Sequence, residues 1–230
     1  SDLVYNDFYI GENADVTIVA GCGIHNGGDS VTRHDGIHTF YLSPGARVKY
    51  IEKHYGNGDG SGEKIMNPQT IIHLDKDSYF EMDTVQIKGI DSTERITRAD
   101  VAENARIVIR EKIMTHGKQH ATTDFQVSLN GDGSGADVVS RSVARDHSHQ
   151  TFLSTIEGNA ACTGHTECDA ILMDQGCVKA IPALTANSLE ASLIHEAAIG
   201  KIAGDQIIKL MTLGLTEEKA EEQIISGFLK

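Results

Sequence analysis

The sequence predicts a mainly β fold, a parallel β-solenoid followed by a short helical C-terminal region. Three observations point there: a recurring turn motif, period-two alternation after each turn, and a composition suited to a thin core. The motif is a turn residue, then Ala or Ser, then any residue, then a large apolar one. It reads Asn13-Ala14-Asp15-Val16, Gly45-Ala46-Arg47-Val48, Asp77-Ser78-Tyr79-Phe80, Asn104-Ala105-Arg106-Ile107 and Gly135-Ala136-Asp137-Val138, with an imperfect copy at Asn187-Ser188. The Ala/Ser positions 14, 46, 78, 105 and 136 recur at steps of 32, 32, 27 and 31, and the 52 residues from 136 to 188 read as two steps of 26. A fixed turn at such spacing is what stacked coils require, because one coil cannot bury its apolar face alone.

Each strand is marked by the residues just after its turn. Val16-Thr17-Ile18-Val19, Val48-Lys49-Tyr50-Ile51, Phe80-Glu81-Met82 and Ile107-Val108-Ile109 carry the apolar alternation of strands. The chain has 23 Gly but only 3 Pro, no Trp and 5% aromatic residues, which suits many turns around small layers better than a bulky sandwich. The pattern changes after about residue 192. Glu196 to Ile202 and Gln206 to Leu213 show helical spacing. Thr216 reads as an N-cap with Glu217 and Glu218 in the first turn, where the helix dipole favours acids. Ile224, Ile225 and Phe228 form its apolar stripe over Ala220 and Glu221. The expected organisation is therefore a core over residues 1–192 and a helical region over 193–230.

Charge and cysteine usage narrow the function. A formal charge of −13 argues against nonspecific nucleic-acid binding, which needs Lys and Arg to neutralise phosphates, and against docking on an anionic membrane. No apolar run is long enough to span a bilayer. Ser1-Asp2-Leu3-Val4 has neither the basic run nor the apolar stretch of a secretory signal. The four cysteines, Cys22, Cys162, Cys168 and Cys177, are too unevenly placed for a disulfide framework, so a reducing cytoplasm is expected.

Two clusters carry donor atoms for metal. Cys22, His25, His34 and His38 offer a thiol and three imidazoles in one segment, a ligand set suited to zinc or iron. Cys162, His165, Cys168 and Cys177 place three thiols and an imidazole close in sequence, a soft set that selects iron–sulfur clusters, zinc or copper(I). On an extended strand Cys162 and Cys168 share a side, and Cys177 lies beyond a turn. His195-Glu196 adds an imidazole and a carboxylate. The Asp/Gly loops Asn57–Glu63 and Asn130–Asp137 lack EF-hand spacing and read as turns. No phosphate-binding loop or nucleophile elbow occurs, so any ATPase engine belongs to another chain.

The C-terminal third carries a specific resemblance. Glu167-Cys168-Asp169-Ala170-Ile171-Leu172, Cys177, Ile181-Pro182, His195-Glu196-Ala197-Ala198-Ile199-Gly200-Lys201-Ile202 and Asp205-Gln206 resemble the SufB/SufD signature in order and spacing. Gly214-Leu215-Thr216-Glu217-Glu218-Lys219-Ala220 and Ile224-Ile225-Ser226-Gly227-Phe228 continue it, and Gly21-Cys22-Gly23-Ile24-His25 with Gly36-Ile37-His38 resemble the start of that family's core. The resemblance implies a right-handed parallel β-helix acting as a scaffold for iron–sulfur cluster assembly, not an enzyme itself. It implies a SufC-like ABC-type ATPase docking near Ala203 to Lys230, a sulfur donor, and apo-protein recipients. By the same resemblance Cys168 is the cluster-building thiol, Glu196 its carboxylate companion and His195 a further iron ligand. The resemblance also implies that Cys22 is the thiol that receives sulfur and passes it through the solenoid interior. One chain here carries both the cysteine and the His-Glu pair, so a homodimer is expected, with a second SufB/SufD-type chain as the alternative. A SufD-like partner that holds no cluster is the rival scaffold reading. A β-helix polysaccharide lyase using Asp75, Asp77 and Asp83 is the enzymatic rival.

Overall fold

The computed structural model describes residues 1–230. Fourteen strands run in order: β1 (Asp2–Ile10), β2 (Asp15–His25), β3 (Thr32–Leu42), β4 (Arg47–Asn57), β5 (Lys64–Leu74), β6 (Tyr79–Gln86) and β7 (Ser92–Val101). Then come β8 (Arg106–Thr115), β9 (His120–Leu129), β10 (Gly135–Ala144), β11 (His149–Gly158), β12 (Thr163–Leu172), β13 (Cys177–Ala186) and β14 (Ser192–Gly200). Odd strands form one 7-stranded sheet and even strands another. Every pairing within them is parallel. Each coil gives one strand to each sheet, so the chain is the expected solenoid.

Alternation decides which side chains meet. In β5 and β6 every second residue is buried, and the inward sets of the two sheets merge into one long core. Phe40, Tyr50, Ile72, Phe80, Ile107, Ile109, Val127, Leu129 and Ile156 belong to it. Neighbouring coils stack aromatic on aromatic, as Phe8 does on Phe40 with ring centroids 4.6 Å apart.

The corner between the two sheets explains the repeat. Asn13, Gly45, Asp77, Asn104 and Gly133 all adopt positive φ, from 54° to 73°. That left-handed region favours Gly and tolerates Asn and Asp, which is why the turn residue in these five coils is one of the three. A small residue comes next and tucks under the corner: Ala14, Ala46, Ser78, Ala105, Ser134, Cys162 and Ala191 occupy equivalent positions, as the register of their successors shows. The repeat read from sequence is corrected here. Arg106 pairs with Gly135, so Ser134, not Ala136, matches Ala105, and Ala191, not Ser188, closes the series. At Ala136 the displacement is two residues, which keeps every side chain on its own face, so alternation alone does not detect it.

The helical region also begins later than expected. Glu196 to Ile202 is not helical: Ser192–Gly200 is β14, the last strand of its sheet. The helices are α1 (Gly204–Thr212) and α2 (Glu217–Phe228). Thr216 is the N-cap expected of it, its hydroxyl accepting from the Lys219 amide at 3.3 Å. Ala220 and Ile225 are the buried residues of α2. The Lys112 ammonium on β8 donates to the Lys230 carbonyl at 2.7 Å, which ties the chain's end to the outer face of the even sheet. Neither helix is long and apolar enough to cross a membrane.

Candidate functional site

Cys168 lies in the middle of β12 and faces the solenoid interior, 1% exposed. Burial, then Glu111, then Asp169, push its thiol up to about 12. The register places it in a single inward column across the even sheet: Glu52 on β4, Thr84 on β6, Glu111 on β8, Ser140 on β10, Cys168 on β12 and Ala197 on β14. Glu52, Thr84, Glu111 and Ser140 are all buried. A polar line thus runs lengthwise through the core and ends at a thiol.

Side chains beside the column satisfy most of it. The Tyr50 hydroxyl donates to Glu52 at 2.8 Å and lies 3.0 Å from the His38 Nδ1. His54 Nε2 lies 3.3 Å from the same Glu52 oxygen. Burial pushes the His54 ring below its usual range, so at neutral pH it is uncharged, donating to Glu52 and accepting at Nδ1 from Arg95 at 2.9 Å. Burial opposes the charge on Glu52, but His54, Arg95 and the Tyr50 hydroxyl outweigh it and hold the carboxyl down at about 2. Arg95 reaches in from the odd sheet, its Nε 3.2 Å from Glu111. Thr123 and Ser140 donate to the two Glu111 oxygens at 2.8 and 3.1 Å.

Sequence reasoning missed these residues, although a signal existed. Glu52, Thr84, Glu111, Ser140 and Cys168 each stand six residues beyond the small corner residue of their coil, namely Ala46, Ser78, Ala105, Ser134 and Cys162. The misplaced corner at Ala136 hid the alignment.

The expected ligands divide between two faces. His195 and Glu196 are consecutive on a strand, so they point to opposite sides of the sheet. His195 turns inward: it pairs with Thr166, so it lies diagonally beside Cys168 on the same face, and its Nδ1 is buried with no hydrogen-bond partner. Glu196 turns outward and pairs with Glu167. Within one chain the structure brings Cys168 and His195 together and leaves Glu196 across the sheet.

The wider clusters also separate. Cys162 is the buried corner residue of its coil, packed near Gly158. Cys177 is exposed at the start of β13, opposite His149. Cys22 faces inward on β2, half-buried, its thiol pushed up by burial and then by Glu52 and Asp2. His38 is buried against Tyr50, and His34 meets Asp2 at 2.8 Å. His25, three residues after Cys22, is exposed and bonded to Asn57, so it cannot join them around one ion. Asp75 and Asp77 are corner residues, and Asp83 lies near Lys49 and Arg110 at 3.6 and 3.8 Å, so these carboxylates line no common groove.

Thiol reactivity depends on this placement. With iodoacetamide at neutral pH, Cys177 is expected to be alkylated first and Cys168 about 100-fold or more slowly, because the thiolate is the nucleophile. Peptide mass spectrometry over time checks the order. Equal rates would mean that solvent enters the interior at this coil.

On the outer face, His165 stands between two carboxylates. Its Nδ1 meets Asp137 at 2.8 Å and its Nε2 meets Glu196 at 3.1 Å. Asp137, the opposing burial, and then Glu196 set its pKa, with a net rise. Glu167 is pushed up chiefly by its hydrogen bond with Asp169 and next by burial. His165, Glu167 and Glu196 each offer one donor atom, and these lie within 4.8 Å of one another.

The family described as "SUF system FeS cluster assembly, SufBD core domain" matches residues 6–228. An iron-sulfur cluster assembly SufBD family protein of Methanothermobacter thermautotrophicus is 32% identical over 225 residues, covering 95% of this chain and 53% of its own length. Its Archaeoglobus fulgidus counterpart is 26% identical over 228 residues, 99% of this chain and 60% of that protein. One from Mycobacterium bovis is 23% identical over 232 residues, 95% of this chain and 26% of that protein. The chain thus spans about half the length of the first of these relatives, 53%. With nearly its whole length matched, this chain belongs to the SufBD family of iron–sulfur cluster assembly proteins.

Proposed function

We propose that this chain is a scaffold on which an iron–sulfur cluster is built, with Cys168 as the thiol that holds the nascent cluster. The observation that carries the reading is the inward polar column that ends at Cys168. Cys22 faces the same interior near the other end, on the edge strand β2. Sulfur received there as a persulfide leaves Cys22 as hydrosulfide when an external two-electron reductant, supplied with the partner proteins, cleaves the S–S bond, and the hydrosulfide passes inside the solenoid to meet iron at Cys168. His195, with its unpartnered Nδ1 beside that thiol, supplies the nitrogen ligand. Few thiolates and harder companion ligands suit a site that must release its product to apo-protein recipients.

The last coil supports assembly with a second copy. β13 and β14 are edge strands, and Ile181, Leu184, Leu189, Ile194 and Ile199 are exposed on or between them. Unpaired edges with apolar residues invite another chain. The column ends one strand beyond Cys168, at Ala197, so a homodimer joined here adds ligands close to the thiol. The two helices after Gly204 offer the docking surface for a SufC-like ATPase, whose cycle opens and closes this end. The setting is the cytoplasm, and the chain itself is a scaffold rather than an enzyme.

Anaerobic reconstitution with iron and free sulfide tests the reading, with absorption and Mössbauer spectra as the readout. The wild type is expected to form a cluster and Cys168→Ala to lose it. No cluster in the wild type, even with the ATPase present, would replace this reading with that of a SufD-like structural partner.

A further inference from the structure

We infer that the outer face of the even sheet carries a separate divalent-metal site, built from His165, Glu167 and Glu196 and oriented by Asp137, and that its ion is iron(II). The site stands on its own geometry, whereas the choice of iron among divalent ions rests on the assembly reading.

The three donor atoms already cluster within 4.8 Å of one another, so small side-chain rotations close them around one ion. His165 is prepared for ligation. Its Nδ1 donates to Asp137 at 2.8 Å and its Nε2 to Glu196 at 3.1 Å, so an arriving dication displaces only the Nε2 proton while Asp137 keeps the ring in place. A carboxylate behind a ligating imidazole fixes both tautomer and ring orientation. Two neighbouring strands supply the set: Glu167 and Glu196 are directly opposed across β12 and β14, and His165 lies diagonally to Glu196. Like charges opposed across a pair of strands are unfavourable, and Asp169 adds another carboxylate beside Glu167. Arg141, paired with Asp169 in the register, balances one of these charges, and a bound dication balances the rest. One nitrogen with carboxylate oxygens is a ligand set for iron(II) or manganese(II) rather than copper(I).

The consequence concerns placement. His165 and Glu167 are on the wet side of β12 and Glu196 on the same side of β14, while Cys168 is on the dry side of β12. Iron and sulfur then reach this strand from opposite faces and stay apart until the last coil moves.

The test uses iron(II) alone, without sulfide, titrated anaerobically into metal-free full-length protein and monitored by calorimetry. Cobalt(II) absorption serves as a second readout, since thiolate ligation adds a charge-transfer band. The wild type is expected to bind a single ion per chain, without that band. His165→Ala and Glu167→Gln are each expected to weaken binding about tenfold or more while circular dichroism stays unchanged. Wild-type affinity in both of these variants, a thiolate band, or no binding by the wild type would each overturn the site. Because sulfide is absent, this result is independent of whether a cluster forms on Cys168.

Discussion

Replacing Arg95 with methionine is expected to cost about 3–5 kcal/mol of folding stability, the range for breaking a buried ion pair from one side. Arg95 is 5% exposed and is the guanidinium that meets Glu111, His54 and Gln86 inside the solenoid. Without it Glu111, itself 2% exposed, keeps only the hydroxyls of Thr123 and Ser140 against a full charge. Glu52 also loses one of the groups that hold its carboxyl down. Glu111→Gln added to Arg95→Met is expected to restore part of the loss, because the amide removes the uncompensated charge. Urea unfolding of the two variants beside the wild type measures both effects. An Arg95→Met midpoint indistinguishable from wild type would mean that water already solvates the column.

The second large effect is expected in sulfur delivery. Cys22 on β2 and Cys168 on β12 are five strand spacings apart in the even sheet, roughly 24 Å at normal inter-strand distance. No side-chain swing joins them, and Cys162 lies at the corner rather than between them. If sulfur enters at Cys22, Cys22→Ala should slow assembly by at least about tenfold when sulfur arrives as a persulfide on a carrier protein. The same variant fed free sulfide should assemble at nearly the wild-type rate, whereas Cys168→Ala should fail under both regimes. Cluster absorbance against time under the two sulfur sources distinguishes these cases. A Cys22→Ala protein that uses the persulfide at full rate would show that sulfur enters elsewhere.

The fold was legible because its physics is local. Alternation in segments such as Val48–Ile51 and Phe80–Met82, and the left-handed corners at Asn13, Asp77 and Asn104, leave marks on short stretches of chain. The register left no such mark. Gly135-Ala136-Asp137-Val138 imitates the corner motif although the corner lies two residues earlier, and that slip conceals the polar column. Glu196 to Ile202 is rich in alanine and has helical spacing, yet its first five residues pair with β12, so tertiary pairing overrides local preference. Cys168 is singled out by the thiol cluster and given its role by resemblance, whereas Asp137 and Glu167 beside His165 are not found from the sequence. Asp137 comes from the preceding coil, and no spacing along the chain announces that contact.

The dryness of the column also bears on time. A persulfide or hydrosulfide in water is exposed to oxidation and to capture by stray metal ions, and a solvent-excluded site slows such losses. Between Glu52 and Cys168 every column residue is buried. In the assembly reading the solenoid is therefore a reservoir as well as a passage: sulfur loaded at one end keeps until iron and the partner are ready. Its shelf life is set by how rarely the coils breathe.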